Sequence, residues 1–206
     1  AKHHGLAFEA RNYGQISAET FELPQQLKQL PNGTSKRTMA FVFIGHNDFV
    51  ETDKTDDELA AKHKKALSDF FREWDKRHWF STMFIIPVGD VYKVYNRMDK
   101  YVWHKSQKVT YTCNDSWNKF FPYARQYYQL FQLGTINEYF IPRIEAFHKA
   151  EREVARQWNW KSWTNTFHYH EPKGAFPYEP GNFAVDCFHL AANGQEAIAN
   201  ATFDAI

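Results

Sequence analysis

Two short motifs carry residue types that could do chemistry. In Asp186-Cys187-Phe188-His189-Leu190 a carboxylate and an imidazole stand three residues apart. At that spacing they can meet within one turn: Asp186 can accept from His189 Nδ1, fix its tautomer and stabilise the imidazolium, while Nε2 faces outward as a general base. The same spacing also describes a surface Asp capping a turn beside a packed His. The second motif is Phe43-Ile44-Gly45-His46-Asn47-Asp48, an apolar strand that breaks at Gly45 and presents Asn47 just past its end. In an open parallel sheet that edge is where ligands bind. An Asn there can aim its side-chain amide at a developing oxyanion, a donor worth about 3 kcal/mol of transition-state stabilisation. An ordinary Asn-Asp turn remains the simpler reading of this motif alone.

The remaining histidines say less. His46 reads as a polar loop residue close enough to the second motif to touch a substrate. His168 and His170 alternate in a candidate strand, but no Cys or carboxylate at ligand spacing accompanies them, so no metal site is expected. His3-His4 reads as a floppy end.

The elements that must position these motifs alternate along the chain. Residues 6–13 and 38–44 are short apolar runs of strand character. Between them, residues 18–30 carry Phe21, Leu23, Leu27 and Leu30 at helical spacing until Pro31-Asn32-Gly33 stops the pattern. Thr55 and Glu58 make a capping-box pattern that predicts a helix over 56–78, with Leu59, the Lys62 stem, Ala66, Phe70 and Trp74 as its buried stripe. Another strand is expected over 81–88. The pattern weakens over 90–133 into a Tyr- and Trp-rich stretch. A helix follows over 136–158, striped by Ile141, Ile144, Phe147, Glu151 and Val154, then a strand over 164–170. A Pro/Gly-rich approach leads to a last helix over 194–203. The alternation predicts an α/β fold with a parallel sheet flanked by helices.

Bulk properties bound the classes. A chain of 206 residues, 43% hydrophobic, can bury one core and reads as a single domain spanning 1–206. Lys and Arg total 25 against 24 Asp and Glu, which leaves no electrostatic footprint for nucleic acid or an anionic membrane. No apolar run approaches the roughly 20 residues needed to span a bilayer. The chain opens at Ala1 with nothing that reads as a signal peptide, as expected of a processed or trimmed product. Sequons at Asn32, Asn114 and Asn200 suit a secreted glycoprotein. Cys113 and Cys187 could form one bridge in an oxidising compartment, or either could pair with a partner on another segment. The tryptophans Trp74, Trp79, Trp103, Trp117, Trp158, Trp160 and Trp163 could line an acyl pocket, with core packing as the default. The irregular stretch 91–131 is the better candidate for substrate contacts.

Order, strand context and separation of the two motifs together resemble the SGNH (GDSL) hydrolases. Gly45-x-Asn47-Asp48 looks like that family's third block. Asp186-x-x-His189, followed by Leu190, Gly194 and a closing helix, looks like its fifth and is most similar to the phospholipase-B-like branch. Asn12-Tyr13-Gly14-Gln15-Ile16-Ser17-Ala18, followed by Leu23-Pro24, resembles the second block, with Ser17 where the family has a Gly whose amide helps form the oxyanion hole. The resemblance runs from about residue 13 to the end. It implies a three-layer, flavodoxin-like fold and hydrolysis of an acyl ester, lipid or phospholipid among them, through an acyl-enzyme, without a cofactor. His189 would be the base and Asp186 its orienting partner, with Asn47 and the Ser17 amide as the oxyanion hole.

The family's nucleophile sits in a Gly-Asp-Ser block upstream of the second one, and no Gly-Asp-Ser occurs in this sequence. None of Ser17, Ser35, Ser68, Ser81, Ser106, Ser116 or Ser162 reads as sitting in a strand-to-helix turn of the required kind. The expectation is a nicked enzyme of the secretory or lysosomal pathway whose N-terminal chain supplies the serine. A sheet without its first strand and helix would leave an apolar edge and an uncovered face. A fragment, or a non-catalytic binding or structural protein on the same scaffold, is the alternative.

Overall fold

A computed structural model describes residues 11–15, 17–31, 37–48, 53–89, 102–104, 110–122, 141–170, 180–184, 186–187 and 189–203. Most of the strand expected over 6–13, the sequon Asn32, most of the stretch 91–131 and residues 136–140 lie outside them.

The first element is shorter than the apolar spacing over 18–30 predicts. A 3-10 turn, Thr20–Glu22, leads into α1, Leu23–Lys28. Pro24 explains the difference: lacking an N–H, it cannot sit inside an α-helix begun at residue 18, but it fits the first turn of one begun at Leu23. Strand β1 (Met39–Phe43) follows, then α2 (Asp56–Arg77) and β2 (Thr82–Ile86). The α2 start falls where the capping pattern sets it: the Thr55 hydroxyl accepts from Glu58 N, and Glu58 Oε2 accepts from Thr55 N at 2.8 Å. Its buried stripe is Leu59, His63, Ala66, Leu67, Phe70, Phe71 and Trp74. Lys62 is thus not the core position; its ammonium reaches Glu19 at 3.2 Å, and His63 turns inward because buried polar partners await it.

The stretch after β2 contains an antiparallel hairpin, β3 (Val102–His104) with β4 (Thr110–Thr112), running into a short helix α3 (Cys113–Lys119). Sequence periodicity had no purchase on strands this short. Helix α4 (Ile141–Lys161) buries Ile144, Phe147, Glu151 and Val154 as the spacing predicts, and also Arg143, whose Nε donates to Asp56 Oδ1 at 2.7 Å. Strand β5 (Thr166–Tyr169), a 3-10 turn (Pro180–Asn182) and α5 (Ala192–Phe203) complete the described chain.

β1, β2 and β5 form a parallel sheet with β2 in the centre. Parallel neighbours require crossovers, and α2 and α4 supply them. Together with α1 these helices cover one face, where Val42, Ile44, Met83, Ile85 and Phe167 pack against Leu23, Leu27, Leu67, Phe71 and Val154. On the opposite face Phe41 stacks on Phe84 and Phe84 on His168. Met39, Phe41 and Phe43 stay 53%, 40% and 43% exposed there. This is an α/β fold with helices on a parallel sheet. No described helix is long and apolar enough to cross a membrane.

Candidate active site

The carboxyl ends of the strands form the edge at which an open parallel sheet binds ligands. Past β1 the chain turns through Gly45, whose φ of 110° favours glycine. A Cβ at that position would lie 2.7 Å from Val88 Cγ2 and 3.0 Å from His63 Cε1. Gly45→Ala is therefore expected to lower unfolding free energy by about 2–3 kcal/mol, read by chemical denaturation, because backbone strain and overpacking act together. Next, His46 Nε2 accepts from Gly89 N at 3.1 Å, tying the turn after β1 to the turn after β2. Burial pushes His46 down to about 4, so the ring is neutral and Nε2 can act as the acceptor of that bond.

Asn47 is half-buried and donates one amide hydrogen to Ala18 O at 3.1 Å. Its other N–H makes no hydrogen bond among the described residues. Ser17, next to Ala18, has a φ of 59°. That left-handed backbone is what glycine adopts without strain, a physical reason for a Gly-preferring position. Asp48 returns the contact: its Oδ2 accepts from Thr20 N at 2.9 Å and from Thr20 Oγ1 at 3.0 Å. The segment around Ser17 and the turn around Asn47 are thus clasped twice, once in each direction.

The Asp186–His189 turn forms a second unit. Asp186 Oδ1 accepts from His189 N at 3.0 Å and Oδ2 faces His189 Nδ1 at 2.6 Å. Both carboxylate oxygens are used, and the hydrogen bond that His189 donates to Asp186 raises the His189 pKa. Asp186 is buried while the His189 side chain is 62% exposed, so the pair has an anchored end and an open end. The anchors are specific. Trp117 Nε1 donates to Asp186 O at 3.0 Å, Ala184 N donates to His189 O at 2.7 Å, and Cys187 is disulfide-bonded to Cys113 of α3. Closing a loop of that length removes about 4 kcal/mol of chain entropy from the unfolded state. The contacts just described hold each unit together: Ser17, Ala18, Thr20, Asn47 and Asp48 in one, Asp186 and His189 in the other.

Other expected residues fall elsewhere. His170 Nε2 donates to Thr202 O at 2.9 Å, fastening β5 to α5, and His168 stacks on Phe84. Sequon residues Asn114 and Asn200 are exposed on α3 and α5. Trp74, Trp117 and Trp158 are core residues. Trp79 and Trp163 are exposed on the turns that precede β2 and β5 and Trp160 on the last turn of α4, at the opposite edge of the sheet from the Gly45 turn, so they do not line that turn.

Sequence reasoning passed over Thr20 and His63, and it took Glu151 only as part of an apolar stripe. All three are fully buried beneath the Gly45 turn. The available signal was Glu151 itself, since a carboxylate in the middle of a buried stripe needs a partner.

Neither a protein family, nor a curated protein, nor a solved structure matches this chain.

Proposed function

We propose that the chain is the histidine-bearing portion of a secreted ester hydrolase of the SGNH type, close to the phospholipase-B-like branch, acting through a serine acyl-enzyme. The observation that carries this reading is the Asp186–His189 pair, with Nδ1 committed to a buried carboxylate and the imidazole side chain 62% exposed. In the proposed reaction His189 Nε2 takes the proton of a serine hydroxyl supplied by a separate N-terminal segment of the same precursor. The oxygen attacks the ester carbonyl, and the oxyanion takes hydrogen bonds from the second Asn47 N–H and the Ser17 backbone N–H. On collapse the imidazolium returns its proton to the departing alcohol, and water then hydrolyses the acyl-enzyme by the same base. The left-handed backbone at Ser17 and the clasp between Ala18 and Asn47 support the second and third motif assignments.

The decisive test is intact-mass analysis of the native protein, denatured and reduced after labelling with a serine-directed fluorophosphonate. A second, labelled chain of several kilodaltons is the expected result. A single unlabelled species at 24.4 kDa would overturn catalysis for this chain and leave a binding or structural protein on a hydrolase scaffold.

A further inference from the structure

Beneath the Asn47 turn lies a hydrogen-bonded row that the proposed reaction does not use. Asp48 Oδ2 meets Thr20 Oγ1, Thr20 Oγ1 meets His63 Nδ1 at 2.7 Å, and His63 Nε2 meets Glu151 Oε1 at 3.2 Å. All four side chains are essentially without solvent contact. The row joins the segment before α1, the turn after β1, α2 and α4.

Its protons can be ordered from chemistry alone. Thr20 N is a fixed donor to Asp48 Oδ2, so that oxygen is an acceptor. Asp48 Oδ1 has no hydrogen-bond partner among the described residues, and a proton there would be a buried donor without an acceptor among them. Asp48 is therefore the carboxylate and receives the Thr20 hydroxyl proton. Thr20 Oγ1 must then accept, which puts the His63 proton on Nδ1. Nε2 of the neutral ring in turn accepts, so Glu151 donates as the carboxylic acid. Burial acts in the same direction on both, pushing Glu151 up to about 8 and His63 down to about 4; it raises Asp48 as well, and the two Thr20 donors to its Oδ2 oppose that rise and favour the carboxylate. The close contact between His63 and Glu151 is thus a hydrogen bond between neutral groups.

We propose that His63 is the positioning residue of the oxyanion-binding turn, oriented by protonated Glu151 and acting on Asn47 through Thr20 and Asp48. His63 also supports the turn from below, since its ring lies against Gly45 and stacks on Phe147 with centroids 4.5 Å apart. Fixing one tautomer fixes the Thr20 hydroxyl, and Thr20 fixes both Asp48 and the segment before α1 whose Ala18 carbonyl holds the Asn47 amide. The assignment rests on the hydrolase reading for its catalytic meaning, though not for its geometry.

The test uses the full-length protein with its serine-bearing segment and the variant His63→Phe, which keeps a ring against Phe147 and removes both nitrogens. By NMR, the Asn47 side-chain amide protons are expected to exchange about tenfold faster or more in the variant, while β2 backbone amides keep their protection. Thr20→Val, which retains the backbone donor to Asp48, should do the same, and serves if His63→Phe does not fold. Glu151→Gln, which still donates to Nε2, should keep wild-type exchange. Unchanged Asn47 exchange in His63→Phe and Thr20→Val would overturn the proposal.

Kinetics with p-nitrophenyl acetate separate positioning from mere support. His63→Phe should lower kcat by about tenfold to a hundredfold with KM within about twofold, and it should cost nothing further in an Asn47→Ala background. Additive losses would overturn the positioning role. A wild-type protein that hydrolyses no ester would overturn the hydrolase reading instead, and the Asn47 exchange data would still decide the role of His63.

Discussion

Asp186→Asn is expected to lower kcat by about ten-thousand-fold, by analogy with what the same exchange does in serine hydrolases with an Asp-oriented histidine. The reason is visible in the way both carboxylate oxygens are spent. Oδ1 accepts from the His189 backbone N–H, a donor that cannot reverse, and Oδ2 accepts from Nδ1. An asparagine must keep its oxygen on the backbone donor and turn its amide towards the ring. Nδ1 then becomes the acceptor, the ring proton moves to Nε2, and the base that should face the serine is blocked. The turn itself keeps its disulfide and the Trp117 hydrogen bond, so the melting temperature should hardly move. The wild-type pH profile of kcat/KM should rise through a pKa above the ordinary histidine value, because Asp186 raises it. Activity of Asp186→Asn within about tenfold of wild type would remove the pair from the mechanism.

Stability should fall as pH rises from about 6.5 to 8, with Glu151 contributing up to about 1.4 kcal/mol per pH unit, and Glu151→Gln should remove that part and leave the fall contributed by His189, which is also raised. Glu151 is raised by burial to about 8. Its stabilising contribution is complete below the ordinary glutamate value and is lost as pH climbs through the raised one, because the folded state holds a proton that the unfolded chain has released. His63 and His46, both lowered to about 4 by burial, act the other way. Their unfolded forms take up protons below the ordinary histidine value, so stability is lost as pH falls from about 6.5 towards 4. Around Glu151 the charged or titratable neighbours are His63 on α2 and His148 and Arg152 on α4 itself; His63 in turn faces Asp48 and His46 on the turn after β1. Maximum stability is expected near the crossover. Urea denaturation at a series of pH values measures both limbs, and an alkaline limb as steep in Glu151→Gln as in the wild type would show that Glu151 does not drive it.

The parts of the fold that rest on local chemistry were legible in the sequence. Thr55 and Glu58 placed the start of α2, and the apolar runs around Val42 and Ile85 placed two strands of the sheet. The turn after β1 was legible because Gly45 interrupts an apolar run, and the Asp186–His189 turn because its two residues are near neighbours. What was not legible depends on distant partners. His63 reads as a polar residue beside a Lys until Thr20 and Glu151, 43 and 88 positions away, are known to meet it. Arg143 is buried by its meeting with Asp56, 87 positions away. The helix ahead of β1 was overextended because apolar spacing outweighed the meaning of Pro24. The β3–β4 hairpin and α3 were missed because each is too short for periodicity, although Thr112 and Asp115 carry the capping pattern that starts α3.

Cys113 and Cys187 stand 74 residues apart, and α4 and β5 both lie between them. The bond therefore turns more than a third of the chain into a closed loop. A closed loop needs two cuts before anything leaves it. One peptide bond hydrolysed anywhere inside the ring leaves His189 joined to β5 by the main chain or to α3 by sulfur, and the molecule still runs as one species until it is reduced. For a protein proposed to mature by proteolysis, that arrangement keeps Asp186 and His189 attached after a single cut inside the ring, whereas a cut just past Cys187 would release His189, which lies outside it. Only segments outside the ring can be detached by a single scission.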